Sequence, residues 1–133
     1  MKPEQLAKKN FKGAASGLIK IHNVENNIAE SMPDSICINR KGTVFWIEFK
    51  ALLKWPARAT TEPLKRAFQR GQISWGREWQ SWGGRAFVVL RVEKDFYLFN
   101  VNSISVTMTT KELLDVCLIT GKDKIIKHLA ELV

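Results

Sequence analysis

Residues 31–50, SMPDSICINRKGTVFWIEFK, have the pattern of a β-hairpin. Two runs rich in the apolar, β-branched and aromatic residues of strands, 34–39 and 43–50, flank the tripeptide RKG at 40–42. A three-residue loop with Gly42 in the left-handed conformation joins two such runs into a hairpin. The second run is unusual, because it carries a glutamate and a lysine among apolar residues.

The register of this hairpin predicts a cluster of charged side chains. It pairs Cys37 with Phe45 and places Asp34 opposite Glu48, with Cβ atoms about 5 Å apart on one face. Lys50 follows Glu48 by two residues and therefore points to the same side. The other side is lined by three apolar residues, Phe45, Ile47 and Phe49. A two-residue loop would reverse this parity and separate the cluster.

The paired carboxylates predict a metal site. Like charges at short range repel, and a divalent cation removes the repulsion. Mg²⁺ prefers hard oxygen ligands, which Asp34, Glu48 and the backbone carbonyl of Phe49 would supply. The metal would activate a water and stabilise charge on a phosphate, while Lys50 would orient that water or neutralise the phosphate. The pattern thus indicates a phosphodiester hydrolase, or alternatively a plain solvent-exposed Glu48–Lys50 pair.

Composition bounds the classes of protein. The chain has 133 residues, 45% of them hydrophobic, which is the size of one domain with its own core. We predict a single domain over 1–133, with a core over about 17–101 and a helical tail over about 109–133. A net charge of +8 favours a polyanion such as nucleic acid, although a merely soluble basic protein has the same excess.

Membrane and disulfide chemistry are not expected. No apolar run approaches the ~18 residues of a membrane span, and the N-terminus has no signal-peptide core. Two cysteines and two histidines are too few for a disulfide framework or a closed His/Cys metal site. We therefore expect a cytoplasmic protein with no membrane partner and no small-molecule cofactor.

The remaining pattern predicts an α/β domain built on one mixed sheet. A helix over 3–13 and a strand within 16–24 precede the hairpin, although the second segment also has helical spacing. Thr61 begins a helix that ends at the glycines 83–84. Its apolar stripe is formed by Leu64, Phe68, Trp75 and Trp79, with Gln72 on the same line. Strands over 85–92 and 96–101 and helices over 110–120 and 122–133 complete the chain.

MPD at 32–34, followed by IEFK at 47–50, resembles the PD-(D/E)XK nuclease motif. The predicted element order also matches the αβββαβ core of that superfamily, a restriction-endonuclease-like fold. The longer pattern VEN…SMPDSICINRKGTVFWIEFKA…Q…W…GGRAFVVLRV is similar to the phage-type branch near VRR-NUC and Holliday-junction-resolvase-like nucleases. This resemblance covers roughly residues 20–100.

The resemblance implies roles for particular residues. Asp34 and Glu48 become metal ligands for Mg²⁺, for which Mn²⁺ would substitute, and Lys50 becomes the catalytic lysine. Glu25 in VEN matches a glutamate that precedes the PD motif in the phage-type branch, which makes it a candidate to complete the metal site. Related resolvases take this acid from the first helix, which makes Glu4 the rival. The sequence leaves the two glutamates open, and either is also readable as a surface carboxylate.

Further residues belong to the expected DNA-binding frame. Gln72 matches a glutamine near the active site of such nucleases, or is simply a polar residue at the edge of the stripe. Phosphate contacts are expected from the basic residues after the motif strand, Lys54, Arg58, Lys65, Arg66 and Arg70. Trp75, Trp79 and Trp82 would stack on bases or, as is commoner on a helix, form core or dimer contacts.

The implied activity is a Mg²⁺-dependent DNA endonuclease that leaves a 5′-phosphate and a 3′-hydroxyl. Its substrate would be double-stranded or branched DNA such as a Holliday junction, in phage replication, recombination or repair in the host-cell cytoplasm. One active site per chain requires a homodimer to cut both strands, through the tail helices or the Trp-bearing helix. The alternatives are a noncatalytic nucleic-acid-binding protein on the same fold and an RNA-cleaving nuclease.

Overall fold

A computed structural model describes residues 1–24 and 32–133. In chain order the elements are α1 (Pro3–Ala14), β1 (Ile19–Asn23), β2 (Ser35–Asn39), β3 (Val44–Leu52), α2 (Gln72–Ser81), β4 (Ala86–Val92), β5 (Asp95–Asn100), a 3₁₀ helix (Val101–Ser103), α3 (Thr110–Val116), β6 (Ile119–Thr120) and α4 (Lys122–Ala130). The predicted αβββαβ order is therefore confirmed, as is the strand reading of the ambiguous segment before the hairpin.

The strands form one mixed sheet in the order β1-β2-β3-β4-β5-β6. Strands β3 and β4 are parallel, whereas the other neighbouring pairs are antiparallel. A parallel pair needs a crossover connection, and here the crossover carries α2. Strand β3 lies inside the sheet and is covered on both faces, which explains its nearly continuous apolar sequence.

The predicted hairpin is confirmed in its register. Gly42 has a φ of 80°, in the left-handed region, and Cys37 pairs with Phe45. The ladder between β2 and β3 ends at the pair Ser35–Ile47. Beyond this pair, in the part of the chain that the structure describes, β3 continues only beside β4. The cluster of charged side chains lies at this opening in the sheet.

Each face of the sheet has its own core. On one face, Phe45, Ile47 and Phe49 pack with α1 and α4, and the ring of Phe11 meets that of Phe49 edge-on at 5.4 Å between centroids. The opposite face buries a second cluster, formed by Leu64, Val88, Leu90, Val92, Phe99, Ile104 and Leu113. Covering each face with helices leaves the opening beside β3 as the place where polar groups gather.

The long helix expected from Thr61 is wrong in its first half. Helix α2 begins at Gln72, because Gly71 has a φ of 87° and interrupts helical geometry. The preceding segment is a series of turns, in which the N–H of Ala67 donates to the carbonyl of Leu64. The apolar stripe therefore combines a buried turn with a shorter helix.

The helical tail predicted over 109–133 is wrong in its middle. Helix α3 ends at Val116, and the N–H of Leu118 donates to the carbonyl of Leu98 at 2.8 Å. Ile119 then pairs with Leu98, which adds β6 to the sheet. Pairing satisfies backbone groups at the edge of β5 that would otherwise be open. Among the described residues, no helix has the length and apolarity needed to cross a bilayer.

Candidate active site

Asp34 and Glu48 meet where β2 begins. The backbone N–H of Asp34 donates to Oε1 of Glu48 at 3.1 Å. The N–H of Phe49 donates to Oδ2 of Asp34 at 3.1 Å, and the hydroxyl of Ser35 donates to Oδ1 at 2.7 Å. The bonds to Glu48 and Phe49 connect the start of β2 to β3, so both carboxylates have fixed positions. The predicted pairing of the two acids is confirmed.

Lys50 lies beside Glu48 and is almost completely buried. Its Nζ is 3.0 Å from Oε2 of Glu48 and 4.8 Å from the ring centroid of Phe68. Only 3% of Lys50 and 7% of Glu48 are exposed to solvent. The alternative reading of an exposed ion pair is therefore wrong. Buried charges of this kind are retained only where hydrogen bonds and partner charges compensate their desolvation.

Gln72, which the resemblance places near the active site, contacts Lys50. Its Oε1 accepts hydrogen bonds from Nζ of Lys50 at 3.1 Å and from the N–H of Gln69 at 2.8 Å. The start of α2 at this residue is what aims the side chain into the cluster. Gly71 makes the sharp entry possible, since its φ of 87° is unfavourable for residues with a Cβ.

Helix α1 adds an acid and a base from the other side. Oε1 of Glu4 lies 3.8 Å from Nζ of Lys50, and Nζ of Lys8 lies 3.6 Å from Oδ1 of Asp34. Glu4, the rival for completing the site, is thus next to the cluster. Glu25, the other candidate, falls outside the described residues.

Burial shifts the acids toward their neutral forms. Desolvation, together with the charge of Asp34, raises the pKa of Glu48 to about 7, although Lys50 opposes the shift. Desolvation also raises the pKa of Asp34, against its hydrogen bond from Ser35 and the charge of Lys8. Two acids with raised pKa values in one place indicate a site where a cation can bind with net gain.

The donor set fits a hard divalent cation. In the part of the chain that the structure describes, no group of three or more His, Cys, Asp and Glu side chains is arranged to hold a metal. Mg²⁺ commonly uses only one or two carboxylates, with water and substrate phosphate completing the shell. Asp34 and Glu48 supply those carboxylates, and neither has the nitrogen or sulfur chemistry that zinc prefers.

The basic residues predicted to contact DNA are all exposed. A cavity of about 490 Å³ is lined by Lys54, Lys65 and Arg66. A second cavity of about 310 Å³ is lined by Lys65, Arg70 and Phe68, the residue whose ring contacts Lys50. The basic surface therefore continues up to the wall of the charged cluster. Arg58 is exposed outside these two linings.

The tryptophans form an aromatic cluster. The rings of Trp75 and Trp79 are stacked at 5.3 Å with an interplanar angle of 8°, and both meet Trp46 edge-on. Trp79 is 39% exposed, and Trp82 is 85% exposed. Trp75 thus belongs to a packed cluster, whereas Trp82 is free to contact another molecule.

Sequence reasoning missed Lys8, Ser35 and Phe68 as members of the site. Lys8 lies four residues after Glu4 and shares its helix face, which is the one signal the sequence offers. Ser35 adjoins Asp34 and has the hydroxyl that such a turn commonly uses. The sequence predicts Phe68 on the apolar stripe, but its contact with Lys50 depends on the turns before α2.

The fold has known counterparts among solved structures. One is Hjc of Archaeoglobus fulgidus, a Holliday junction resolvase from an archaeal hyperthermophile, with a TM-score of 0.60 and 14% sequence identity. The match covers 93% of this chain and 97% of that chain. It confirms a single α/β domain with a mixed six-stranded sheet flanked by helices, the fold that the motif resemblance implied. No family model and no curated protein matches the sequence.

Proposed function

We propose that the chain is a Mg²⁺-dependent DNA endonuclease that hydrolyses phosphodiester bonds in branched or double-stranded DNA. The observation that carries the proposal is the contact of Asp34 with the buried Glu48–Lys50 pair at the opening beside β3. The similarity of the chain's fold to a Holliday junction resolvase and the chain's net charge of +8 support DNA as the substrate. A role in phage recombination or repair is the finer form of this proposal.

The residues would divide the chemistry among them. Asp34 and Glu48, with the carbonyl of Phe49, would hold Mg²⁺ or Mn²⁺, and Glu4 or Glu25 would complete the site. The cation supplies a Lewis acid that activates water and stabilises charge developing on the phosphate. Asp34 is prepared for this role, because its carboxylate is already oriented by the N–H of Phe49.

Lys50 would act on the reacting phosphate. Its ammonium lies between a carboxylate and the amide oxygen of Gln72, so its position is fixed without loss of charge. A fixed cation in a water-poor site stabilises negative charge in the transition state more strongly than a mobile one. Gln72 therefore orients Lys50. The exposed basic group, Lys54, Arg58, Lys65, Arg66 and Arg70, would hold phosphates on either side of the cut.

A homodimer would bring two such sites to opposite strands of DNA. The tail helices α3 and α4 use much of their apolar surface inside the chain, where Leu113, Ile125 and Leu129 are fully buried. The Trp-bearing helix retains exposed apolar surface at Trp79 and Trp82. The tail also exposes Leu114 and Leu118, so both interfaces expected from the sequence stay candidates.

The test is cleavage of end-labelled four-way junction and linear duplex DNA, each with Mg²⁺ or with EDTA. We expect the wild-type chain to cut only with Mg²⁺, and Asp34→Asn to bind DNA without cutting. Products should carry 5′-phosphates. Binding by the wild-type chain without cutting would support the noncatalytic alternative, and preferential cutting of an RNA duplex would support the ribonuclease alternative. Equal affinity for junction and linear DNA would count against branch specificity.

A further inference from the structure

Lys8 places a second ammonium group in the cluster. Its Nζ is 3.6 Å from Oδ1 of Asp34, and its side chain is 21% exposed. The residue lies one helical turn after Glu4, which approaches Lys50. Helix α1 thus contributes two charged side chains to the cluster. Glu4 faces the buried Lys50, and Lys8 faces Asp34, which is more exposed.

The contact adds little to orienting Asp34. Both oxygens of that carboxylate already accept hydrogen bonds, from the hydroxyl of Ser35 and the N–H of Phe49. Partly exposed ion pairs at such distances contribute little to stability. A lysine side chain is also long and rotatable, so this ammonium can change partners within the cleft at low energetic cost.

The charge balance points to a partner for Lys8. The cluster holds three carboxylates, from Glu4, Asp34 and Glu48, and two ammonium groups, from Lys8 and Lys50, a formal charge of −1. A divalent cation changes this charge to +1, which matches the single negative charge of one phosphodiester. Without Lys8 the loaded site would be neutral and would have no excess charge for the DNA backbone.

We propose that Lys8 is a substrate-contacting residue that balances Asp34 in the DNA-free protein and binds a backbone phosphate beside the cut in the complex. The inference rests on the proposed nuclease function and adds a residue to its substrate site. Because Lys8 is positive and adjoins Asp34, it also weakens the binding of divalent cations to the DNA-free protein.

Two variants separate this role from a structural one. Lys8→Met keeps an unbranched side chain, one atom shorter, and removes its charge, whereas Lys8→Arg retains the charge. Lys9→Met is the matched control, because Lys9 is an exposed lysine on the same helix. Thermal unfolding of each variant establishes that α1 remains folded.

The first readout is calorimetric titration of Mn²⁺ into the DNA-free proteins. We expect Lys8→Met to bind Mn²⁺ about tenfold more tightly than wild type, and Lys8→Arg and Lys9→Met to bind like wild type. The second readout is the affinity for four-way junction DNA in EDTA. Lys8→Met should lose about three- to tenfold in affinity, with a salt slope smaller by about 1.

Unchanged Mn²⁺ affinity and unchanged DNA affinity in Lys8→Met would overturn the proposal and leave the nuclease function standing, provided the wild type still cuts. A wild-type chain that neither binds Mn²⁺ nor cuts DNA would overturn both. Rescue of DNA affinity by Lys8→Arg supports a charge contact with phosphate, whereas equal losses in Lys8→Arg and Lys8→Met would contradict it.

Discussion

The backbone N–H of Asp34 donates to the side chain of Glu48 at 3.1 Å, so a hydrogen bond joins the two acidic residues of the cluster. The bond fixes the Glu48 carboxylate beside Asp34, whose charge opposes its ionisation. In the absence of a cation this arrangement is electrostatically unfavourable, and Lys50 compensates only part of it. A site of this kind lowers the stability of the folded chain when empty and favours the binding of a cation.

The metal-free protein should become less stable as the pH rises from about 5 to 7. Glu48 has a pKa of about 7 in the folded chain against an ordinary value of 4.5, so the folded state binds more protons in this window. The stabilisation that comes from protonated Glu48 is complete below pH 4.5 and is lost as the pH rises through 7. We expect the free energy of unfolding to decrease by up to about 3 kcal/mol, as measured by urea titration in EDTA.

Glu48→Gln stays neutral and should remove most of this pH dependence, so that it is more stable than wild type at pH 8 in EDTA. Glu78→Gln, at an exposed position on α2, is the control and should behave like wild type. If raising the pH from 5 to 8 lowers the free energy of unfolding equally in Glu48→Gln and wild type, the buried glutamate is not the titrating group.

Removing the amide of Gln72 should slow cleavage without weakening DNA binding. Its Oε1 holds the ammonium of Lys50 at 3.1 Å, and loss of a residue that orients a catalytic group commonly lowers activity by about 10- to 100-fold. Single-turnover rates of Gln72→Ala and of the control Gln69→Ala, an exposed neighbour, measure the effect. A slower Gln69→Ala with an unaffected Gln72→Ala would contradict the assigned role.

The acid that completes the site can be identified by its effect on the metal requirement. Glu4 is 3.8 Å from Lys50, so Glu4→Gln should raise the Mg²⁺ concentration for half-maximal cleavage by about tenfold or more. Glu25→Gln is the matched comparison. If Glu25→Gln gives the larger shift, the acid comes from the segment before the motif and Glu4 is only a partner of the buried lysine.

The basic surface should be visible in the salt dependence of DNA binding. Single substitutions of Lys65, Arg66 or Arg70 by Gln each remove one phosphate contact. The negative slope of log K against log salt should therefore become shallower by about 0.9. Fluorescence anisotropy in EDTA measures this without cleavage. Lys41→Gln, in the turn at the far end of β3, is the control. Slopes that change as much in Lys41→Gln would indicate diffuse attraction instead of a defined surface.

The hairpin was predictable because its determinants are local. Alternation fixes which side chains share a face, and Gly42 fixes the loop, so Asp34, Glu48 and Lys50 could be grouped before any tertiary contact was known. The glutamate and lysine contradict the local apolar pattern, and this conflict is what predicts a functional site.

The rest of the site depends on contacts that no local pattern contains. The apolar stripe runs through Gly71 without interruption, so the sequence alone favoured one long helix, whereas the contact of Gln72 with Lys50 belongs to the short one. Lys8 was missed because the face of α1 that meets the hairpin is set by packing of Phe11 against Phe49. The strand β6 was missed because two residues of a helical pattern pair with β5.

If the cluster performs phosphodiester cleavage, loss of the Lys50 ammonium should abolish it. Single-turnover cleavage of a four-way junction at saturating protein and Mg²⁺ should be compared for wild type and Lys50→Met. We expect cleavage by wild type and a rate at least about 100-fold lower in Lys50→Met, with DNA and Mn²⁺ binding retained. Equal rates in the two proteins would show that the chemistry lies outside this cluster.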